Sequence, residues 1–259
     1  YFAEISEEET NAARRVAQAA LQRVCAKGVA ASARVQEGPA PRTIIEIARA
    51  EGVGLIVMGS RGRGRIAGAL LGSTARAVAR HSPIPVLVAR ERCHPPTRIL
   101  VATDGSEDAQ TAIRTFAAMP LPGELEVTLL NVLPERALGD LPNGALADDL
   151  RALVERRDRE EALEILSRAH AMLPPGSTAR MELERGRVAD RILEAAEAMG
   201  TDLIVVGARG IRLRGDEFLQ GSTADHLIEA AQCAVLVARA PEHAKTSRAD
   251  REPVAAATR

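Results

Sequence analysis

The stretch GRVADRILEAAEAMGTDLIVVGARG, residues 186–210, reads as a helix, a stop, a buried strand and a glycine loop. Val188, Ile192, Leu193, Ala196 and Met199 recur at helical spacing, and Gly200 stands where a helix C-terminal stop belongs. In the strand expected at 202–207, the run Leu203 to Gly207 is continuously apolar, the pattern of a strand covered on both faces by helices in a parallel sheet. Working outward, the same stretch occurs 148 residues earlier as GPAPRTIIEIARAEGVGLIVMGSRG, residues 38–62. Gly38/Gly186, Ile44/Ile192, Glu46/Glu194, Ala48/Ala196, Gly52/Gly200 and Gly59/Gly207 are identical pairs. Gly72-Ser73-Thr74-Ala75 then recurs as Gly221-Ser222-Thr223-Ala224, and Val86-Leu87-Val88-Ala89-Arg90 as Val235-Leu236-Val237-Ala238-Arg239, both at an offset of 149. The chain is therefore read as two copies of one domain.

The copies are unequal. Two further strand-like runs, Ile99-Leu100-Val101-Ala102 and Val127-Thr128-Leu129-Leu130, have partners only before residue 1. The expected organisation is an N-terminally incomplete domain over residues 1–92, a complete one over 97–240 and a disordered, Ala- and charge-rich tail over 241–259. Strands are expected at 54–59, 84–89, 98–103, 126–132, 202–207 and 233–238, with more polar edge strands at 32–37 and 178–184. Asp149 to Met172 is expected to form a long charged helix with an apolar stripe at Leu150, Leu153, Val154, Leu163 and Leu166. The order βαβαβαβαβ in the second copy predicts an open, doubly wound α/β sheet. Such sheets bind ligands beyond the carboxyl ends of their strands, where the strand order reverses. With an order of 3-2-1-4-5, the loop Thr103-Asp104-Gly105-Ser106 would face Val206-Gly207-Ala208-Arg209-Gly210.

Composition narrows the functional classes. Four aromatic residues, one Tyr and three Phe with no Trp, leave little to stack on nucleobases, which disfavours single-strand nucleic-acid modules. A net charge of −1 supplies no field for nucleic acid or an anionic membrane. No apolar run approaches the roughly 18 residues of a membrane helix. The acidic N-terminus does not read as a signal peptide, and it lacks an initiator Met, as in a processed or incomplete chain. Cys25, Cys93 and Cys233 are too widely spaced for a zinc site and are expected to be reduced thiols of a cytoplasmic protein.

The loops carry the chemistry. The first copy has Gly59-x2-Gly62-x9-Gly72-Ser73, and the second has Gly207-x2-Gly210-x10-Gly221-Ser222, one residue longer. Glycines bring backbone N–H groups close to an anion, and Ser73 and Ser222 are N-cap candidates for helices whose positive ends would face the same pocket. Arg61, Arg63, Arg65, Arg209, Arg212 and Arg214 add positive charge, and the longer loop adds Asp216 and Glu217. The competing reading is a tight turn with N-caps and solvated arginines. Asp104, at the end of an apolar strand, can accept from a ribose hydroxyl or hold a metal on phosphates; alternatively it caps the next helix. Gly62-x-Gly64-x-x-Ala67 lacks the acidic residue of a dinucleotide fingerprint, and neither loop has the lysine of a Walker A loop. No Ser/His/Asp set or paired carboxylates stand out, so no general base is identified.

These motifs resemble those of the universal stress proteins. The resemblance rests on the G-x2-G-x9-G-Ser/Thr loop, on Ala102-Thr103-Asp104-Gly105-Ser106 and on the Val-Leu-Val-Ala that closes each copy, and it extends from about residue 5 to 240. It implies a tandem protein whose second copy binds ATP, with or without Mg. Thr103 and Asp104 would lie beside adenine and ribose, and Val132 would offer its backbone to the base. Val206, Gly207, Gly210, Gly221, Ser222 and Thr223 would form the phosphate and ribose shell. Met58, Gly59, Gly62, Gly72, Ser73 and Thr74 match that shell in the first copy, where the Asp-bearing strand is missing. The expected role is a stress-response regulator or interaction protein with at most weak ATP hydrolysis; the alternative is a nucleotide-free interaction module with a degenerate pocket. The resemblance also implies pairing through the last strand of each copy, within the chain or in a homodimer, with Val86 meeting Val235.

Overall fold

A computed structural model of the chain describes residues 2–61, 71–90, 95–134, 145–210 and 222–241. The chain divides into two compact units, residues 1–50 and 51–259. The first unit holds helix α1 (Phe2–Cys25) and helix α2 (Ala40–Ala50). In α2 the Ile44, Ile45 and Ile47 side chains are half-buried and Ala48 is buried, while Arg42 and Glu46 pair at 2.6 Å on the exposed face. The edge strand expected at 32–37 is absent: residues 29–37 are exposed and irregular. The repeat explains the difference. The equivalent stretch of the second copy is a strand because it lies beside another strand, and the 259 residues contain no counterpart of that neighbour. An extended segment with no ladder leaves its N–H and C=O groups to water.

The second unit is built on one seven-stranded sheet. Its elements are β1 (Ile56–Gly59), α3 (Ser73–His81), β2 (Val86–Ala89), β3 (Arg98–Ala102), α4 (Glu107–Ala117), β4 (Glu126–Leu133), α5 (Ala145–His170), β5 (Thr178–Arg185), α6 (Val188–Ala198), β6 (Leu203–Gly207), α7 (Ser222–Ala230) and β7 (Ala234–Ala238). The strand order is β1-β2-β7-β6-β3-β4-β5. Neighbours are parallel except β2 and β7, which run antiparallel where the two copies meet. Leu87 lies opposite Leu236, flanked by Val86 opposite Val237 and Val88 opposite Val235. The expected meeting of Val86 with Val235 is thus corrected: these two are equivalent positions, and an antiparallel ladder joins equivalents only at its centre, here the two leucines.

The apolar runs of β3, β4, β6 and β7 are buried on both faces, as their pattern requires, but the run 54–59 is corrected: in β1 Ile56 is buried and Val57 is 62% exposed. Ile99 and Val101 of β3 pack with Ile113 and Phe116 of α4 and Leu166 and Ala169 of α5. The alternating residues Leu100, Ile204 and Val235 are fully buried and point to the opposite face by strand alternation. On that face the Thr128 hydroxyl lies 3.3 Å from the sulfur of Met199, at the end of α6. The helix stop at Gly200 is realised with φ +57°, and the Thr201 N–H donates to the Ala196 carbonyl. The apolar stripe of α5 is corrected. Leu150, Leu153 and Leu163 are 44–52% exposed, and the buried face is Ala162, Ile165, Leu166 and Ala169. Only the C-terminal half of α5 covers the core, and its small residues let it approach closely.

Asp202 pins the amino-terminal edge of β6 to β3. Its carboxylate, 7% exposed, accepts from the Thr97 and Arg98 N–H groups at 3.0 and 2.9 Å and from the Thr97 hydroxyl at 3.2 Å. Burial opposes ionisation there. Those donors and the Arg98 guanidinium outweigh it and hold the carboxyl below its ordinary value. Among the described residues, no helix is long and apolar enough to cross a membrane.

Candidate functional site

The sheet reverses its strand order between β3 and β6, and the loops leaving these two strands meet there. In the β3 loop, Gly105 turns the chain at φ +79°. Asp104 Oδ1 accepts from the Ser106 N–H at 3.0 Å. The Asp104 carboxylate therefore closes a local turn, while Ser106 is the N-cap of α4 and accepts from the Ala109 N–H at 3.2 Å. The Ser106 hydroxyl also lies 3.3 Å from the Arg209 carbonyl, to which it donates, and so joins the two loops directly. Thr103 is buried, and its carbonyl accepts from the Asn131 side-chain amide at 2.7 Å, which brings the end of β4 and the half-buried Val132 alongside.

The β6 loop is pressed against both α4 and Asp104. A Cβ placed on Gly207 would stand 2.6 Å from the Ala109 nitrogen and 2.8 Å from the Asp108 carbonyl carbon. A Cβ on Gly210 would stand 2.8 Å from Asp104 Oδ2. Gly207 is needed for this close approach to backbone, while Gly210 lies against the end of the Asp104 side chain, and neither has positive φ. The Arg209 guanidinium forms a two-point pair with Asp108, Nε to Oδ2 at 2.9 Å and Nη2 to Oδ1 at 3.2 Å. The Ala240 N–H donates to the same Asp108 Oδ1 at 2.8 Å. The buried Asp108 thereby ties the glycine loop to the start of α4 and to the segment after β7. Beside Thr103, a cleft of about 240 Å³ opens between α4 and α5, walled by Ile113, Ile165 and Met172 with Gln110 and Arg168 as its polar members.

The sequence-derived residues Thr103, Asp104, Val132, Val206, Gly207 and Gly210 thus fall on the ends of β3, β4 and β6 and the loops that follow. Ser222 and Thr223 open α7, while Gly221, Asp216 and Glu217 lie outside the described residues. In the first copy, Met58 and Gly59 end β1, and Gly62 lies outside the described residues. The expected cap at Ser73 is corrected. Gly72 is the N-cap of α3, with Ser73 and Thr74 in the first turn, and no side chain caps it. The Gly72 N–H donates to the Ser60 carbonyl at 2.7 Å, so in this copy the loop closes on itself. Asp108 and Asn131 escaped the sequence reading, and Ser106 was placed in the facing loop without its capping role. Asp108 carried a signal, an acid in the first turn of a helix, but its partner lies 101 residues away.

A description of the universal stress protein family matches this chain over two stretches, residues 2–90 and 96–239. The chain belongs to the universal stress protein family. Universal stress protein MJ0531 of Methanocaldococcus jannaschii is 30% identical over 146 residues, 56% of this chain and 83% of the relative. Universal stress protein Rv1996 of Mycobacterium tuberculosis is 29% identical over 218 residues, 80% of this chain, which spans 65% of that relative's length. Among solved structures, PA1789 of Pseudomonas aeruginosa has a TM-score of 0.65 at 19% identity, covering 88% of this chain and 78% of that one, a likeness of fold. As a universal stress protein, the chain carries the family match in both copies, with the β3 and β4 loops present only in the second.

Proposed function

We propose that the chain is a tandem universal stress protein, with domains at 1–92 and 97–240, that binds ATP or a related adenine nucleotide in the second domain. That domain has the strand order 3-2-1-4-5, and the first lacks its opening β-α-β part. The observation that carries the reading is the seating of Gly210 on Asp104, where a Cβ would stand 2.8 Å from Oδ2. It sets a carboxylate able to accept from ribose hydroxyls against a glycine backbone able to accommodate phosphates. Thr103 and the backbone of Val132 flank the base, and the polyphosphate runs along Val206, Gly207 and Gly210 toward Gly221, Ser222 and Thr223. Bound ATP would supply anionic phosphates, with Mg as their companion. The role of the chain is to bind and orient the nucleotide, and its output is regulation or interaction rather than turnover.

Isothermal titration of ATP into the wild type, Asp104→Ala and Gly210→Glu tests this. Loss of the carboxylate should weaken binding by about tenfold or more. The glutamate should abolish binding, since it fills the approach and adds a negative charge. Cyclic AMP, with the same base and ribose but a single phosphate, separates recognition of the nucleoside from that of the polyphosphate. Equal affinity in all three proteins, or none in the wild type, overturns the reading.

A second reading, a nucleotide-free interaction module, is favoured by two features. Arg209 is already paired with Asp108, and the Gly72 N–H is already bonded to Ser60. It predicts that purified protein releases no adenine nucleotide on heating, as mass spectrometry of the supernatant would show.

A further inference from the structure

The antiparallel meeting of β2 and β7 brings α3 and α7 side by side, and the two helices carry opposite charges at equivalent positions. Arg76 pairs with Glu229 at 2.5 Å and Arg80 with Asp225 at 3.7 Å. Position 225 is the repeat equivalent of 76, and 229 is that of 80, both at the offset of 149. The two ion pairs are thus exchanged by the pseudo-twofold relation of the copies. Helix α3 presents arginine at both positions, and α7 presents an acid at both.

The closing arginines reach across this seam in similar, not identical, ways: Arg90 Nε also donates to the Cys233 carbonyl at 3.4 Å, whereas Arg239 Nε has no hydrogen-bond partner among the described residues. Arg90 donates through Nη2 to the Ile228 carbonyl in the last turn of α7, and its equivalent Arg239 donates through Nη2 to the Arg80 carbonyl in the last turn of α3. The ladder is symmetric, valine on valine around leucine on leucine. Arginine arms and ladder would serve two first copies or two second copies as well as one of each. The two helices also differ in size at Ala77/His226 and Ala79/Ile228, but the sign of charge distinguishes the combinations at the four charged positions. Two α3 helices in this geometry would set arginine against arginine twice, and two α7 helices would set acid against acid twice.

We infer that Arg76, Arg80, Asp225 and Glu229 form a charge code by which the first copy selects the second copy as its partner and rejects a second version of itself. The partner this surface fits is acidic α7, and the surface is occupied within the chain. The attraction across each exposed pair is small; the selectivity comes from the repulsion in the unlike combinations.

The test is a charge exchange in the full chain, read by thermal unfolding at low and high salt. Arg76→Glu with Arg80→Asp makes both helices acidic, and Asp225→Arg with Glu229→Arg makes both basic. Each double variant should melt about 3–6 °C below the wild type at low salt. The quadruple variant, with the charges exchanged, should recover more than half of either loss. In 1 M salt the differences should shrink, because the arginines are exposed and the acids partly so. Should a double variant fail to fold, a folded quadruple variant supports the code. A quadruple variant that melts no higher than the weaker double, or that also fails to fold, overturns it. So do double variants that melt with the wild type.

Discussion

Gly59 and Gly207 are equivalent residues at the ends of equivalent strands, yet they meet different surroundings. At Gly207 an added Cβ would collide with the first turn of α4, whereas at Gly59 its nearest neighbour would be the Arg61 carbonyl at 3.5 Å, an ordinary contact. The motif is the same, but the chain holds no counterpart of β3, α4 and β4 to press upon the first loop. A glycine motif therefore records what the repeat shares, while its physical necessity depends on what stands over it. The second loop is clasped by Asp108, Ser106 and Asp104, and the first closes through its own backbone.

The largest expected effect tests this contrast directly. Gly207→Ala should cost about 3 kcal/mol or more, because backbone atoms cannot step aside, while Gly59→Ala should stay within about 0.5 kcal/mol of the wild type. Urea unfolding of the pair measures both, and equal losses would erase the distinction. Next comes the clasp, which only the second copy has. Asp108→Ala removes the acceptor of three hydrogen bonds and should cost about 2 kcal/mol in the same measurement, since Arg209 can return to water.

Asp202 sharpens the comparison at the other end of the strands, because its equivalent in the first copy is Gly54, with open space around it. Asp202→Asn should cost about 1–2 kcal/mol near neutral pH, and Gly54→Asp almost nothing. The sign of the pH dependence follows from the lowered carboxyl. Its contribution is complete above the unfolded value near 3.8 and is lost as pH falls through the lower folded value. Stability profiles of wild type and Asp202→Asn should therefore converge in strong acid. The smallest effect is chemical. Burial pushes the Cys233 thiol up to about 11, whereas Cys25 of the first copy is exposed. Alkylation at pH 8, mapped by mass spectrometry, should label Cys25 well before Cys233, and denaturant should remove the difference.

Much of this was legible beforehand. Apolar runs within 98–103, 126–132, 202–207 and 233–238 announced buried strands, because a strand covered on both faces has no polar side to show. The helix over 188–199 and its glycine stop were legible because helical spacing and left-handed backbone are local requirements. Asp104 and Gly210 were recognisable as residues that would converge, because the doubly wound topology brings those two strand ends together. The stripe on α5 was misread because local spacing does not say which half of a helix reaches the core. The strand at 32–37 was misread because a strand exists only with a neighbour.

By itself, the sequence determined that the chain is a repeat, that its strands are buried in a sheet, and that two loops would share a switch point. These follow from side-chain pattern and backbone permission, which are properties of short segments. Only the tertiary structure decided that the ladder centres on Leu87 and Leu236, that Arg209 is held by Asp108, and that Gly207 is indispensable where Gly59 is not. Those outcomes depend on which atoms stand within a few ångströms after distant segments have packed, and no local pattern encodes that distance.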